Sequence, residues 1–250
     1  MYAYLVAYDG ALFYGFTGHK NSVEPALAKA LGPILGRGSR TDPGVSALAN
    51  VAVAESLKPI GQINSELPRG VWVWGYAEVP SDFNPRRAKE RIYAYFAPYR
   101  GEDVGLMRKA AELLVGTHDY RNFAKGVEKA VTTITSIEVT DRGRYIEILF
   151  KGRGFKNKML RKIAWTLSAV GRGVLTLDDV AGLLSGERKR PVPSAPAEGL
   201  VLLWIEYGIN FSTDRSVLSK IYKYFLNRYY IYTSLSIGYA KITEEILKWL

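Results

Sequence analysis

Between residues 39 and 45 the chain reads Ser39-Arg40-Thr41-Asp42-Pro43-Gly44-Val45. Asp42-Pro43-Gly44 fits a β-turn, because proline presets φ and glycine accepts a positive one. A turn asks for neither Arg40 nor Thr41. Arg40 and Asp42 stand two apart, so in extended backbone they share one face. A guanidinium there can hold the carboxylate ionised and oriented, or contact a phosphate. The chain has no cysteine and only two histidines, His19 and His118. That leaves out a Cys nucleophile, a Cys-ligated zinc or iron–sulfur centre and a His-rich metal site. His19 is read as a surface residue and His118 as a structural loop residue. General acid/base or nucleophilic work therefore falls to carboxylates, and Asp42 beside an Arg is the candidate.

The elements that must position this loop are legible in outline. Tyr2 to Tyr8 is aromatic enough for a strand, with Asp9-Gly10 as a turn signal. Ser22 is a plausible N-cap for a helix over Val23 to Leu35, which Gly36 stops. Val51 to Ala54 and Val71 to Tyr76 read as further strands. After a polar stretch flanked by Pro80 and Pro85 come a strand over Arg91 to Tyr99, a helix from about Gly105 to Val115, and a hairpin over Thr132 to Val139 and Arg144 to Phe150. Apolar residues at Phe155, Met159, Ile163, Leu167 and Val170 recur at helical spacing. A last strand, Leu200 to Tyr207, follows the loop Arg190 to Pro196. Strands mixed with two long helices, arranged twice, predict an α+β protein of two similar halves. The divisions are 1–85, 86–207 and an extension over 208–250, whose six tyrosines and scarce Gly and Pro indicate one or two amphipathic helices started by Ser212-Thr213-Asp214.

The charge is unevenly spread along these divisions. The net of +10 over 250 residues resolves into −1 for 1–82, +8 for 83–207 and +3 for 208–250. Lys151, Arg153, Lys156, Lys158, Arg161, Lys162 and Arg172 follow one another with no acidic residue among them, and Arg86, Arg87, Lys89 and Arg91 make a second cluster. Two basic clusters in one half, beside a neutral half, have the distribution of an electrostatic footprint for nucleic acid. The sequence opens without a basic n-region, and no run reaches the roughly 18 apolar residues of a membrane span, so a cytoplasmic, membrane-free protein is expected.

In this setting Arg40-Thr41-Asp42-x-Gly44-Val45 resembles the signature of the TruA family of tRNA pseudouridine synthases, in an archaeal-like form with a C-terminal extension. Other pieces fall in the family's order: Tyr8-Asp9-Gly10 with Phe13, Gly15 and Phe16; Phe83-x-x-Arg86 followed by Arg91-x-Tyr93-x-Tyr95; Gly116-Thr117-His118-Asp119-Tyr120 with Phe123; Phe155-x-x-x-Met159-x-Arg161; and Ala195-Pro196-Ala197-x-Gly199-Leu200. The similarity covers about residues 2–207, and the tail has no counterpart in the part matched.

The resemblance implies two RRM- or ferredoxin-like α/β halves, with mainly antiparallel sheets joined around a central cleft. It implies uridine isomerisation to pseudouridine at tRNA positions 38, 39 and 40 in the anticodon stem-loop, with base flipping and no cofactor or metal. It also implies a homodimer with tRNA across both subunits. Asp42 would be the catalytic aspartate, Tyr93 would stack on the uracil, Arg161 would bond to Asp42, and Arg40 would contact RNA backbone or help displace the nucleotide. Tyr95 faces the same side as Tyr93, so spacing alone does not choose between them. Lys156, Lys158, Lys162 and Arg86 are the expected RNA-backbone contacts. Many family members carry Gly and His where this chain has Ser39 and Ser46, which bears on local RNA contacts more than on the carboxylate. Two other readings share part of these features: a non-catalytic RNA-binding protein of RRM-like fold, and a synthase acting on other RNA uridines. The first leaves an acidic residue facing RNA without a task.

Overall fold

The computed structural model describes residues 1–188 and 191–249. Residues 1–212 form one compact unit and 213–250 a second. In chain order the first unit carries β1 (Tyr2–Tyr8), α1 (Val23–Leu31), β2 (Gly36–Arg37), β3 (Ser46–Ala54), α2 (Ile60–Glu66) and β4 (Val71–Glu78). It continues with β5 (Glu90–Pro98), α3 (Val104–Leu114), β6 (Gly116–Asp119), β7 (Val131–Asp141), β8 (Tyr145–Gly152), α4 (Met159–Gly171), α5 (Leu177–Ser185) and β9 (Leu200–Glu206). The second unit is a single helix, α6 (Arg215–Leu247), capped by the Asp214 carboxylate, which accepts from the backbone N–H groups of Ser216 and Val217.

The strands of the first unit run as one mixed, mostly antiparallel sheet in the order β4-β1-β3-β9-β5-β8-β7-β6, with β2 on β3 beside this path. Within the N-terminal run the order is β4-β1-β3-β2, and within the following run β9-β5-β8-β7. In each, the first strand lies between the fourth and the third. The two runs meet where β9 pairs with β3 in parallel, over Ser46↔Val201 and Ala47↔Leu202 only. Farther along the same edge, β3 pairs antiparallel with β2 over Gly36↔Val53 and Arg37↔Ala52. The edge of β3 is thus shared by two strands, and the loop 38–45 leaves from one branch and re-enters at the other. The sequence reading started this strand at Val51. Its true beginning at Ser46 was hidden because the polar Ser46 and Asn50 interrupt the apolar run.

Tyr4, Tyr8, Phe16, Leu27 and Ile63 fill the core of the N-terminal run, and Met107, Phe123, Ile148 and Ile163 that of the next. Helix α4 begins four residues later than the periodicity suggested. Lys158 adopts φ 59 at its N-cap, and this left-handed residue separates the 155–158 turn from the helix. Periodicity missed α2 and α5, short helices of 7 and 9 residues. The approach loop to β9 is described from Pro191 onward, and Arg190 lies outside the described residues.

One buried cation ties the junction together. Arg91 on β5 is 5% exposed. Its guanidinium donates to the carbonyls of Gly38 (2.8 Å), Arg86 (3.1 Å), Pro85 (3.4 Å) and Arg153. Those carbonyls belong to the start of the 38–45 loop, to the segment joining β4 to β5, and to the turn before α4. A buried carbonyl left without a donor costs roughly 1–3 kcal/mol. Arg91→Leu strands several, so it is expected to lower stability by about 3–5 kcal/mol in equilibrium denaturation. A loss below about 1 kcal/mol would mean that water replaces the guanidinium.

Candidate active site

The 38–45 loop is held at every stage of its course. Gly38 N–H donates to Val51 O at 2.8 Å, continuing the β2–β3 ladder by one step. Ser39 is then gripped by a side chain: Asn50 Oδ1 accepts from its N–H (3.0 Å), and Asn50 Nδ2 donates to its carbonyl (2.9 Å). Asn50 is fully buried and also donates to the Tyr8 hydroxyl, which shares a 2.8 Å hydrogen bond with the Thr41 hydroxyl. Thr41 O accepts from Phe16 N–H at 3.2 Å, an approach that depends on Gly15 (φ 76), where a Cβ would sit 2.5 Å from that oxygen. The turn closes with Val45 N–H donating to Asp42 O at 3.2 Å. The two serines that depart from the family pattern both serve internal bonds. Ser39 Oγ pairs with Tyr93 OH at 2.6 Å, and Ser46 Oγ accepts from Gly10 N–H at 2.9 Å.

Asp42 projects from this turn with its side chain 25% exposed, and Arg161 Nη1 donates to its Oδ2 at 2.9 Å. The two residues are 119 positions apart. Arg161 lies in the first turn of α4, and its position is set twice by one residue. Its Nε donates to Ala195 O at 2.7 Å, while its own carbonyl accepts from Ala195 N–H at 3.0 Å. Asp42 Oδ1 has no hydrogen-bond partner among the described residues. One carboxylate oxygen is fixed and the other is open, which suits attack or proton transfer at a defined angle. Arg40 does not hold Asp42, contrary to one option drawn from their spacing. It is exposed, and no hydrogen bond or ion pair engages it among the described residues.

Tyr93 and Tyr95 share a face of β5, and both are buried. Only Tyr93 is bonded to the loop, through Ser39, with the Phe155 ring edge-on to it at 5.6 Å. Burial pushes the Tyr93 hydroxyl pKa up; the bond to Ser39 and the charge of Arg91 oppose this, and Asp42 adds to it. Tyr95 also has its pKa raised by burial; the charge of Arg161 opposes this and that of Glu198 adds to it. Its ring fills the space beside Gly199, where a Cβ would come within 2.8 Å. Asn50 went unnoticed in the sequence, and Tyr8 and Ala195 stood within the family motifs without a role assigned to them. A lone Asn inside an otherwise apolar strand was the available signal.

The basic residues separate into two groups. Lys151 pairs with Glu138, Arg172 with Glu102, and Arg161 with Asp42. Lys162, expected at the RNA backbone, donates instead to the carbonyls of Asn122 (3.2 Å) and Ala124 (3.1 Å), and burial lowers its pKa, followed by the neighbouring Lys158. Lys156 is exposed, and Lys158 is half-buried at the α4 cap. Arg86, Arg87, Lys89 and Arg153 line an open recess with Ala88, and no carboxylate pairs with them among the described residues.

The chain is similar to several known proteins. Residues 110–208 match the family model described as tRNA pseudouridine synthase. A tRNA pseudouridine synthase A of Pyrobaculum arsenaticum is 59% identical over 232 residues, covering 91% of this chain and 90% of its own. That of Pyrobaculum neutrophilum is 54% identical over 251 residues, covering 99% and 98%. That of Pyrococcus furiosus is 33% identical over 254 residues, covering 95% of both. Identity of this order over nearly whole chains makes the protein a pseudouridine synthase by class, and the chain belongs to the TruA family of tRNA pseudouridine synthases. The 99% coverage also means that the tail, unmatched in the sequence reading, has a counterpart in at least one relative.

A lysine at 161 has one ammonium where the guanidinium reaches Ala195 O and Asp42 together. Arg161→Lys is therefore expected to leave thermal stability nearly unchanged while lowering kcat/KM by about 100-fold, the scale of a 1 Å misplacement. Unchanged kcat/KM would show that Asp42 needs no orientation from α4.

Proposed function

We propose that this protein isomerises uridine to pseudouridine in the anticodon stem-loop of tRNA, at positions 38, 39 and 40, with Asp42 as the catalytic residue. The reaction breaks the N1–C1′ bond, turns the uracil, joins C5 to C1′, and moves the C5 proton to solvent while N1 regains one. Atoms and electrons balance within the substrate and water, so the chemistry calls for no redox cofactor or metal. The carboxylate attacks C1′ or C6, or removes the proton at C2′ or C5; each role uses an oxygen that the protein leaves open. The single observation that carries the reading is the Asp42 carboxylate with Oδ2 on Arg161 and Oδ1 unengaged.

A uridine in a stem must first leave the stack, at a cost of a few kcal/mol that an aromatic face offsets in part. Tyr93 is assigned that face: it is linked through Ser39 to the loop bearing Asp42, and Phe155 supports it edge-on. Arg40, exposed and unengaged two residues before Asp42, is assigned to the RNA backbone or the vacated stem. Backbone attraction without sequence reading is assigned to Arg86, Arg87, Lys89, Arg153, Lys156 and Lys158. The working unit is proposed to be a homodimer with tRNA across both subunits, following the family resemblance.

Tritium release from 5-³H-uridine tRNA tests the catalytic assignment. Asp42→Asn should release none while binding tRNA with wild-type affinity within a factor of about three, and release at the wild-type rate would remove Asp42 from the role. Salt dependence tests the footprint. Replacing Arg86, Arg87, Lys89 and Arg153 together by Ala should flatten the slope of log K against log salt by about 3. Lys162→Ala should leave the slope in place and lower the melting temperature. The reverse pattern would return the footprint to α4.

A further inference from the structure

Three residues before Asp42, a short contact joins two side chains that the fold already holds separately: Ser39 Oγ and Tyr93 OH, 2.6 Å apart. The backbone of Ser39 does not depend on it. Its N–H and its carbonyl are both taken by Asn50, a fully buried side chain whose Oδ1 also accepts from Val51 N–H at 2.8 Å. The backbone of Tyr93 does not depend on it either. Strand β5 is laddered on both sides, with Tyr93 opposite Phe150 of β8 and Leu202 of β9. Stacking on a base asks only for an aromatic ring, which phenylalanine supplies as well. The Tyr93 hydroxyl thus serves neither the strand nor a stack, yet it is buried, and Ser39 is its one hydrogen-bond partner among the described residues.

We infer that Ser39 is a positioning residue: its hydroxyl fixes the Tyr93 ring relative to the turn that carries Asp42. The face offered to the uracil and the carboxylate offered to its nucleotide then keep one spacing. This rests on the proposed roles of Tyr93 as stacking face and Asp42 as catalytic residue. The path from Ser39 to Asp42 has little slack. It passes through Arg40 and Thr41, and Thr41 is pinned twice, its hydroxyl on Tyr8 OH and its carbonyl on Phe16 N–H. Arg91, two residues before Tyr93 on β5, also reaches the loop, but it does so at the Gly38 carbonyl and sets strand against backbone. Among the described residues, Ser39 makes the hydrogen bond from the loop to the ring-bearing side chain itself. Gly, which many family members carry here, has no hydroxyl. The link therefore sets the rate of the reaction without being a condition for it, and its removal should slow turnover and not abolish it.

Single-turnover tritium release from 5-³H-uridine tRNA, read beside tRNA affinity and thermal melting, separates positioning from support. Ser39→Ala and Tyr93→Phe each leave the other hydroxyl without its partner, so each should lower the melting temperature. Each should also slow release about tenfold, short of the roughly 100-fold of a 1 Å misplacement, at unchanged tRNA affinity. The double variant leaves no hydroxyl unpaired, so its melting temperature should return to within about 2 °C of the wild type. Its release should nevertheless stay about tenfold slow, because the link is still missing. Were the bond a support only, the rate of the double variant would recover together with its melting temperature, and that result would overturn the inference. Wild-type rates in both single variants would overturn it as well. The underlying assignment has its own check: Tyr93→Leu, which lacks the ring, should release about tenfold more slowly than Tyr93→Phe. Equal rates in those two would remove Tyr93 from the stacking role, and the positioning of its ring with it.

Discussion

The ion pair between Asp42 and Arg161 is partly exposed, and pairs of that kind add little to stability. Its worth is positional, and positions must be held by something stronger. On one side stand the bonds that Asn50, Tyr8 and Tyr93 make to residues 39 and 41; on the other stands the double link between Arg161 and Ala195. Each set is anchored in a β-ladder or a helix. The carboxylate is thereby placed by rigid elements although it sits on a turn, which is how a short loop can serve chemistry that tolerates little misplacement.

Behind both sets lies the divided edge of β3. Every buried backbone group on a strand edge needs a partner. Here the need is met by β9 at one end and β2 at the other. The connection between β2 and β3 is therefore obliged to emerge at the junction of the two strand runs, where Arg91 closes the remaining carbonyls. The site is a consequence of how that edge is satisfied.

Much of this could be read from the residues. The strands with continuous aromatic or β-branched runs, the hairpin around Asp141-Arg142-Gly143, and the α4 register all followed from period and turn chemistry. Asp42 stood out because Arg40 and Thr41 had no place in a plain turn. What could not be read were contacts between residues far apart in sequence: Asn50 with Ser39, Ala195 with Arg161, Arg91 with four separate carbonyls. Two local readings also fell short of the fold. Spacing left open that Arg40 holds Asp42, and the run of cations offered Lys162 to RNA, because neither spacing nor charge count tells what the fold places beside a side chain. A run of seven cations looked like one patch, yet four of them are taken up by partners that only the fold supplies.

The separation of Asp42 from Arg161 also bears on the life of the chain before it is complete. The parallel pairing of residue 46 with residue 201 closes a loop of more than 150 residues, the kind of contact that forms late in folding. During synthesis the N-terminal run can take shape with Asp42 on its turn while α4 and Ala195 are still unmade or within the ribosome. A nascent or truncated chain of that length has the carboxylate but lacks the residue that aims it. On the proposed role of Asp42, activity would wait until nearly the whole first unit exists.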